Sequence, residues 1–247
     1  MHSLKDIELK LQRKSWWAML FVLPIARRLS LFIINYTSIT PNIISLGAFL
    51  LVPLAAFGYA SGSYQGVLYG AIFFEINYLF DCVDGTVARV KKMSSPLGAY
   101  LDPVLDRWRI VILSLALAYG QYTATREILT VFLVFSYLGL NNLILLTRSA
   151  QEKALNKMGR SSTMGVDLAR SATSNGLLTW WFKITEDKNI MPYYHDIELD
   201  ALVFVVGPLL NLTVPLLIAA NILALVLIAA LNIIFVVSLR NSERNCA

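Results

Sequence analysis

From Ala201 to Leu239 the chain runs 39 residues without a charged side chain. About 20 helical residues cross the hydrocarbon core of a bilayer, so this stretch holds two crossings and a break between them. Asn211-Leu-Thr-Val-Pro215 supplies the break, because proline carries no N–H to continue the helical ladder. Ile43–Phe74 is also uncharged and is interrupted at Ser61-Gly62-Ser63, which predicts two helices joined by a short turn, the second running past Glu75 to about Phe80. Ile110–Thr125, extended back through Arg107, gives a third span, and Ile128–Thr147 a fourth. The expected fold is therefore all-α and integral to the membrane, with six transmembrane helices. The whole chain, 1–247, reads as one domain, with a juxtamembrane arm at 1–40 and a six-helix bundle over about 41–240.

Composition agrees with this and excludes the alternatives. Charged residues make up 15% of the chain and the mean hydropathy is +0.61, whereas a water-facing globular domain carries about 25% charged residues. Two cysteines cannot build a disulfide framework, and two histidines leave no His-rich zinc site. Metal chemistry has to rest on the 16 carboxylates, which favours a hard ion such as magnesium or manganese. The net charge of +5 fits loops facing anionic lipid rather than a nucleic-acid partner.

In the arm, Trp16–Ala26 is apolar but only eleven residues long, interrupted by Pro24 and flanked by Arg13-Lys14 and Arg27-Arg28. It is expected to lie in the interface as an amphipathic helix, with Trp16 and Trp17 at headgroup level. Lys and Arg number six in the arm, five between spans two and three, seven between spans four and five, and two in the tail. Arg126 alone falls on the other side. The positive-inside rule then places both termini and both long loops in the cytoplasm.

Four carboxylates cluster on the cytoplasmic side. Asp81 and Asp84 are spaced i,i+3 and Asp102 and Asp106 i,i+4, so each pair shares a helical face. Ser94-Ser95-Pro96 breaks the helix between the pairs and lets them converge. Four such acids repel one another unless cations stand between them, which makes Asp81, Asp84, Asp102 and Asp106 candidate ligands of a divalent metal. Gly85 and Ala88 leave room for a ligand against the backbone, Gly98 does the same one turn before Asp102, and Arg89 is placed to hold a phosphate oxygen. A divalent-cation transport pathway is the competing use of membrane acids. It would want them near the midplane rather than at the rim.

The pattern D-x2-D-G-x2-A-R-x8-G-x3-D-x3-D, filled by Asp81, Asp84, Gly85, Ala88, Arg89, Gly98, Asp102 and Asp106, resembles the signature of the CDP-alcohol phosphotransferase family. Thr40-Pro41-Asn42, at the head of the first span, is similar to a shorter feature of that family and adds Asn42 to the nucleotide side. The resemblance implies six spans behind an interfacial segment, a homodimer, and phospholipid synthesis in a cell (inner) membrane with the site facing the cytoplasm. It implies attack of an alcohol on a CDP-linked donor such as CDP-diacylglycerol, with release of CMP. Asp81, Asp84 and Asp102 would then ligate magnesium or manganese and Asp106 would act as general base. Gly85, Ala88, Arg89 and Gly98 would shape the nucleotide and phosphate site.

The acceptor is read as a small polar alcohol. Arg148, Lys153 and Arg170 lie in a basic stretch that loosely resembles the one used for phosphorylated acceptors by bacterial inositol-phosphate and glycerol-phosphate phosphatidyltransferases, although Gln151 and Ala169 depart from it. The same charges serve topology equally well. The reverse assignment, a soluble CDP-alcohol and a lipid acceptor, suits longer chains better. Two features stay open: Glu75, buried in the second span, is either a helix contact or part of the site, and Thr185–Asp200 is expected to be a polar surface loop.

Overall fold

The computed structural model describes residues 2–8, 15–93, 95–158, 176, 180, 183–185 and 194–244, and no strand occurs among them. The helices are α1 (Leu4–Glu8), α2 (Ala18–Tyr36), α3 (Pro41–Ala60), α4 (Tyr64–Lys91), α5 (Pro96–Thr125), α6 (Ile128–Lys157), α7 (196–209) and α8 (Thr213–Arg244).

Local chemistry sets these boundaries. The Ser63 and Ser95 hydroxyls accept from the Gly66 and Gly98 amides, capping the otherwise unpaired first turns of α4 and α5. Lys92 and Arg126 adopt left-handed backbone at φ 55° and 60° and close the same two helices. Asn211, at φ 55°, turns the chain between α7 and α8, at the break expected from the sequence.

Five helices are long and apolar enough to cross a membrane: α2, α3, α4, α6 and α8. This differs from the expected set at three places. The segment expected at the interface, Trp16–Ala26, is continuous with a longer helix, α2, which runs 19 residues to Tyr36. Pro24 does not end it, because the preceding turn, Ala18–Val22, is a wide π-type turn that accommodates the proline's missing donor. Arg27 pairs with Glu8 at 3.2 Å, so its charge is answered within the arm. Helix α5 falls outside the five because its first turns carry acids and arginines, and α7 because it is short.

Small residues hold the centre together. A Cβ on Gly120 would lie 2.0 Å from the Tyr59 carbonyl oxygen, and one on Gly58 2.6 Å from the Gly70 nitrogen, so α3 meets α4 and α5 at backbone distance. Tyr59 donates to the Phe204 carbonyl at 2.6 Å, and Phe204 stacks on Phe74 at 5.2 Å between centroids. Helix α7 is thereby locked into the core rather than left at the surface. Gly120→Ala should drive a methyl into backbone and cost about 1–3 kcal/mol; a fall of several degrees in Tm in detergent checks this.

Candidate active site

Helices α3, α4 and α5 converge on an open cleft lined by Ser45, Ala48, Phe49, Asn77, Asp81, Asp84, Asp102, Leu105, Asp106 and Arg109. All four motif aspartates reach it. One oxygen from each of Asp81, Asp84 and Asp102 lies within 4.8 Å of the others. Asp84 is buried, Asp81 half-buried, and Asp102 exposed at the mouth. Three hard oxygen donors converging from two helices suit a divalent cation that keeps some water, and the trio could hold one.

Around the trio the supporting contacts are specific. Ser45 Oγ donates to Asp84 Oδ2 at 2.5 Å, fixing that carboxylate's rotamer from α3. Asn77 sits four residues before Asp81, on the same face of α4. Its Nδ2 donates to the Ala48 carbonyl at 2.6 Å and its Oδ1 accepts from Arg109 Nη1 at 2.6 Å. Arg109 Nη2 pairs with Asp106 Oδ1 at 3.0 Å. The fourth motif acid therefore enters the cleft with a cation already beside it.

The remaining motif residues take up distinct places. A Cβ on Gly85 would stand 3.3 Å from Arg89 Nη1, so the missing side chain lets the guanidinium fold back along its own helix. A Cβ on Gly98 would meet Ser95 Oγ at 3.1 Å and Asn42 Oδ1 at 3.4 Å, which brings Asn42 beside the glycine of α5. Ala88 is half-buried one turn from Asp84.

A second polar cluster joins α5, α6 and α7. Asp196 faces Arg148 Nη1 at 3.3 Å and Arg107 Nη2 at 3.6 Å. Arg148 also bonds the His195 ring, and Arg107 donates to Asn141 Oδ1 at 2.6 Å. Asp200 accepts from Tyr137 and, at 3.0 Å, from Asn141. Asp196, Glu198 and Asp200 are buried, so residues 194–200 are not the surface loop expected from their polarity. Their charges are satisfied by partners far away in sequence. Glu75 Oε1 accepts from the Trp17 indole at 3.2 Å, while Trp17 N donates to Glu198 Oε1 at 3.5 Å. Of the acceptor candidates, Arg148 is held in this cluster, Lys153 is exposed on α6, and Arg170 lies outside the described residues.

Burial alone would raise the Asp196 carboxyl, but its bonds to His195, Arg148 and Arg107 outweigh that and hold it at about 2, below its usual 3.8. A depressed carboxyl contributes stability above its unfolded value, and the contribution is lost as pH falls through the folded value. Asp196→Asn should therefore cost roughly 2 kcal/mol or more between pH 5 and 8. Its Tm deficit should be flat over that range and shrink below about pH 4, as thermal melts in detergent would show.

Comparison with known proteins gives the site a context. A family described as CDP-alcohol phosphatidyltransferase matches residues 38–186. An archaetidylinositol phosphate synthase of Methanothermobacter thermautotrophicus is 33% identical over 103 residues, 42% of this chain and 47% of that protein. A bifunctional IPC transferase and DIPP synthase of Rubrobacter xylanophilus is 33% identical over 143 residues, 54% of this chain and 30% of its own length. A protein of the same description from Aquifex aeolicus is 33% identical over 84 residues, 34% of this chain and 18% of its own. The chain thus spans less than half the length of the curated relatives it matches.

Proposed function

Since the chain belongs to the CDP-alcohol phosphatidyltransferase family, we propose that it transfers a phosphatidyl-type group from a CDP-linked lipid, such as CDP-diacylglycerol, to the hydroxyl of a small polar alcohol, releasing CMP. The observation that carries this reading is the convergence of Asp81, Asp84 and Asp102 within 4.8 Å at a cleft that Asp106 also lines. A magnesium or manganese ion held by the trio would neutralise diphosphate charge as the phosphate–CMP bond breaks. Asp106 accepts the proton of the attacking hydroxyl and Ser45 holds Asp84 in place. Gly85, Ala88, Arg89, Gly98 and Asn42 take the nucleotide and phosphate side. Arg148, Lys153 and Arg170 supply the positive charge proposed for the acceptor side, which a phosphorylated acceptor would need.

The same reading carries six spans, α3 to α8, behind the N-terminal helix α2, a cytoplasmic site in a cell (inner) membrane, and a homodimer. Four of these six, α3, α4, α6 and α8, are long and apolar enough to cross a membrane, and with the Lys and Arg asymmetry they support the topology. Single cysteines at positions 63 and 92 should react oppositely with an impermeant thiol reagent in intact cells, and equal labelling from outside contradicts the orientation.

The similarity to an archaetidylinositol phosphate synthase puts an inositol phosphate first among acceptors to try. Purified protein with CDP-diacylglycerol, manganese and a panel of polyols and polyol phosphates should form one new lipid phosphodiester by mass spectrometry. Formation of none, across the panel, contradicts the proposal.

A further inference from the structure

The charged cluster of α5, α6 and α7 begins at Arg107, one residue beyond Asp106, and the transfer chemistry leaves its buried acid without a task. Asp196 is 8% exposed and is the first residue of α7. Its Oδ1 faces Arg148 Nη1 at 3.3 Å and its Oδ2 faces Arg107 Nη2 at 3.6 Å, with His195 Nδ1 3.8 Å from Oδ1. Both arginine contacts are longer than the roughly 2.7–2.9 Å of a well-seated charged hydrogen bond. Arg148 Nη2 is buried and has no hydrogen-bond partner among the described residues. One flat carboxylate is thus shared by two guanidinium groups that it does not saturate, and a donor is left over. A buried donor without an acceptor is a cost that a larger anion removes.

A phosphomonoester meets that deficit better than a carboxylate. It carries about −1.5 to −2 charges at neutral pH and presents three acceptor oxygens. The arginines stay within reach of a solute, with 27% and 23% of the Arg107 and Arg148 side chains exposed, and Arg107 is steadied by its bond to Asn141 Oδ1 at 2.6 Å. No earlier turn of helix blocks the Asp196 side chain from rotating, and its charge remains favoured at the start of α7 once turned. We propose that Asp196 is an internal stand-in for the phosphate of a phosphorylated acceptor: its carboxylate holds Arg107 and Arg148 together until the phosphomonoester displaces it. The identity of the displacing group rests on the transferase reading, whereas competition between Asp196 and an anion is measurable without turnover.

The test measures binding of inorganic phosphate by calorimetry to wild type and Asp196→Asn, beside the KM of inositol phosphate and of CDP-diacylglycerol. Asparagine keeps the shape and removes the competing charge. Asp196→Asn should therefore bind phosphate about tenfold more tightly and lower the KM of inositol phosphate by a similar factor, with donor KM within about threefold. Damage to the fold does not tighten binding, so a gain of affinity separates competition from a structural role. Phosphate should also return most of the Tm lost in Asp196→Asn, where chloride at equal ionic strength does not.

Phosphate affinity that is unchanged or weaker in Asp196→Asn overturns the proposal. So does a tenfold fall in the donor KM in place of the acceptor's, which would give the arginines to the diphosphate, or wild-type turnover with a bare polyol as fast as with its phosphate. Arg107→Gln should raise the KM of inositol phosphate at least about tenfold and leave the donor KM within about threefold. An unchanged acceptor KM there overturns the proposal even if Asp196→Asn does not fold. Wild-type protein that releases no CMP while phosphate binding changes as stated would defeat the transferase reading and leave the competition standing.

Discussion

Asp84→Asn is expected to abolish turnover and to weaken manganese binding by at least about a hundredfold. Asp84 is the most buried of the three clustered carboxylates, and Ser45 donates to it at 2.5 Å. Replacing one oxygen by an amide nitrogen removes a negative charge from the trio and turns a donor toward the cation. Loss of a group merely behind a ligand costs 10- to 100-fold in metal affinity, so loss of the ligand costs more. Ser45→Ala should reproduce a weaker version of the same defect, since it frees the Asp84 rotamer and leaves the charge. Calorimetric titration with manganese, paired with CMP release, separates the two effects. Wild-type metal affinity in Asp84→Asn would remove this carboxylate from the ligand set.

Asp106→Asn should keep metal and donor affinity within a few-fold and lose about a hundredfold or more in kcat, the usual scale for removing a base. An attacking hydroxyl must give up its proton as the new bond forms, and a group in reach must take it. Histidine is the common choice, but His195 is engaged with Arg148 in the α7 cluster. Asp106 lines the cleft and has only one oxygen paired with Arg109. An Asp106→Asn variant that loses donor binding as badly as Asp84→Asn does would make it a ligand, and the base would have to lie elsewhere.

The parts of this site that were legible in the sequence are those with a fixed local period. Two aspartates at i,i+3 and two at i,i+4, broken by Ser-Ser-Pro, state which faces meet, and the four acids do line one cleft. Asn77 and Arg109 carry the same kind of signal, four residues before Asp81 and three after Asp106. They are single polar residues on apolar helices, however, and period alone does not separate a site residue from a helix contact. Ser45 lies four residues beyond Pro41, whose carbonyl it also bonds at 3.1 Å, and only the packing of α3 on α4 brings it to Asp84.

The misreadings have a common physical cause. Polarity was taken to mean water at 194–200, yet Asp196 and Asp200 are buried because Arg107, Arg148, Tyr137 and Asn141 answer them from 48 to 89 residues away. The helix through Pro24 was expected to stop near Ala26, at the Arg27-Arg28 pair, but a wide turn before the proline and the Arg27–Glu8 pair let α2 run on to Tyr36. Both outcomes depend on partners or backbone adjustments that no local pattern encodes. The close contacts at Gly58 and Gly120 were invisible for the same reason: a glycine signals room without saying what fills it.

The most direct measurement is CMP release by purified protein from CDP-diacylglycerol and a polyol phosphate, compared with a soluble CDP-alcohol and diacylglycerol, each in manganese and in excess EDTA. If the carboxylate cleft is a metal-dependent phosphatidyl-transfer site, CMP should appear with the lipid donor in manganese and vanish in EDTA. Equal release in EDTA, or release with the soluble donor alone, would contradict it.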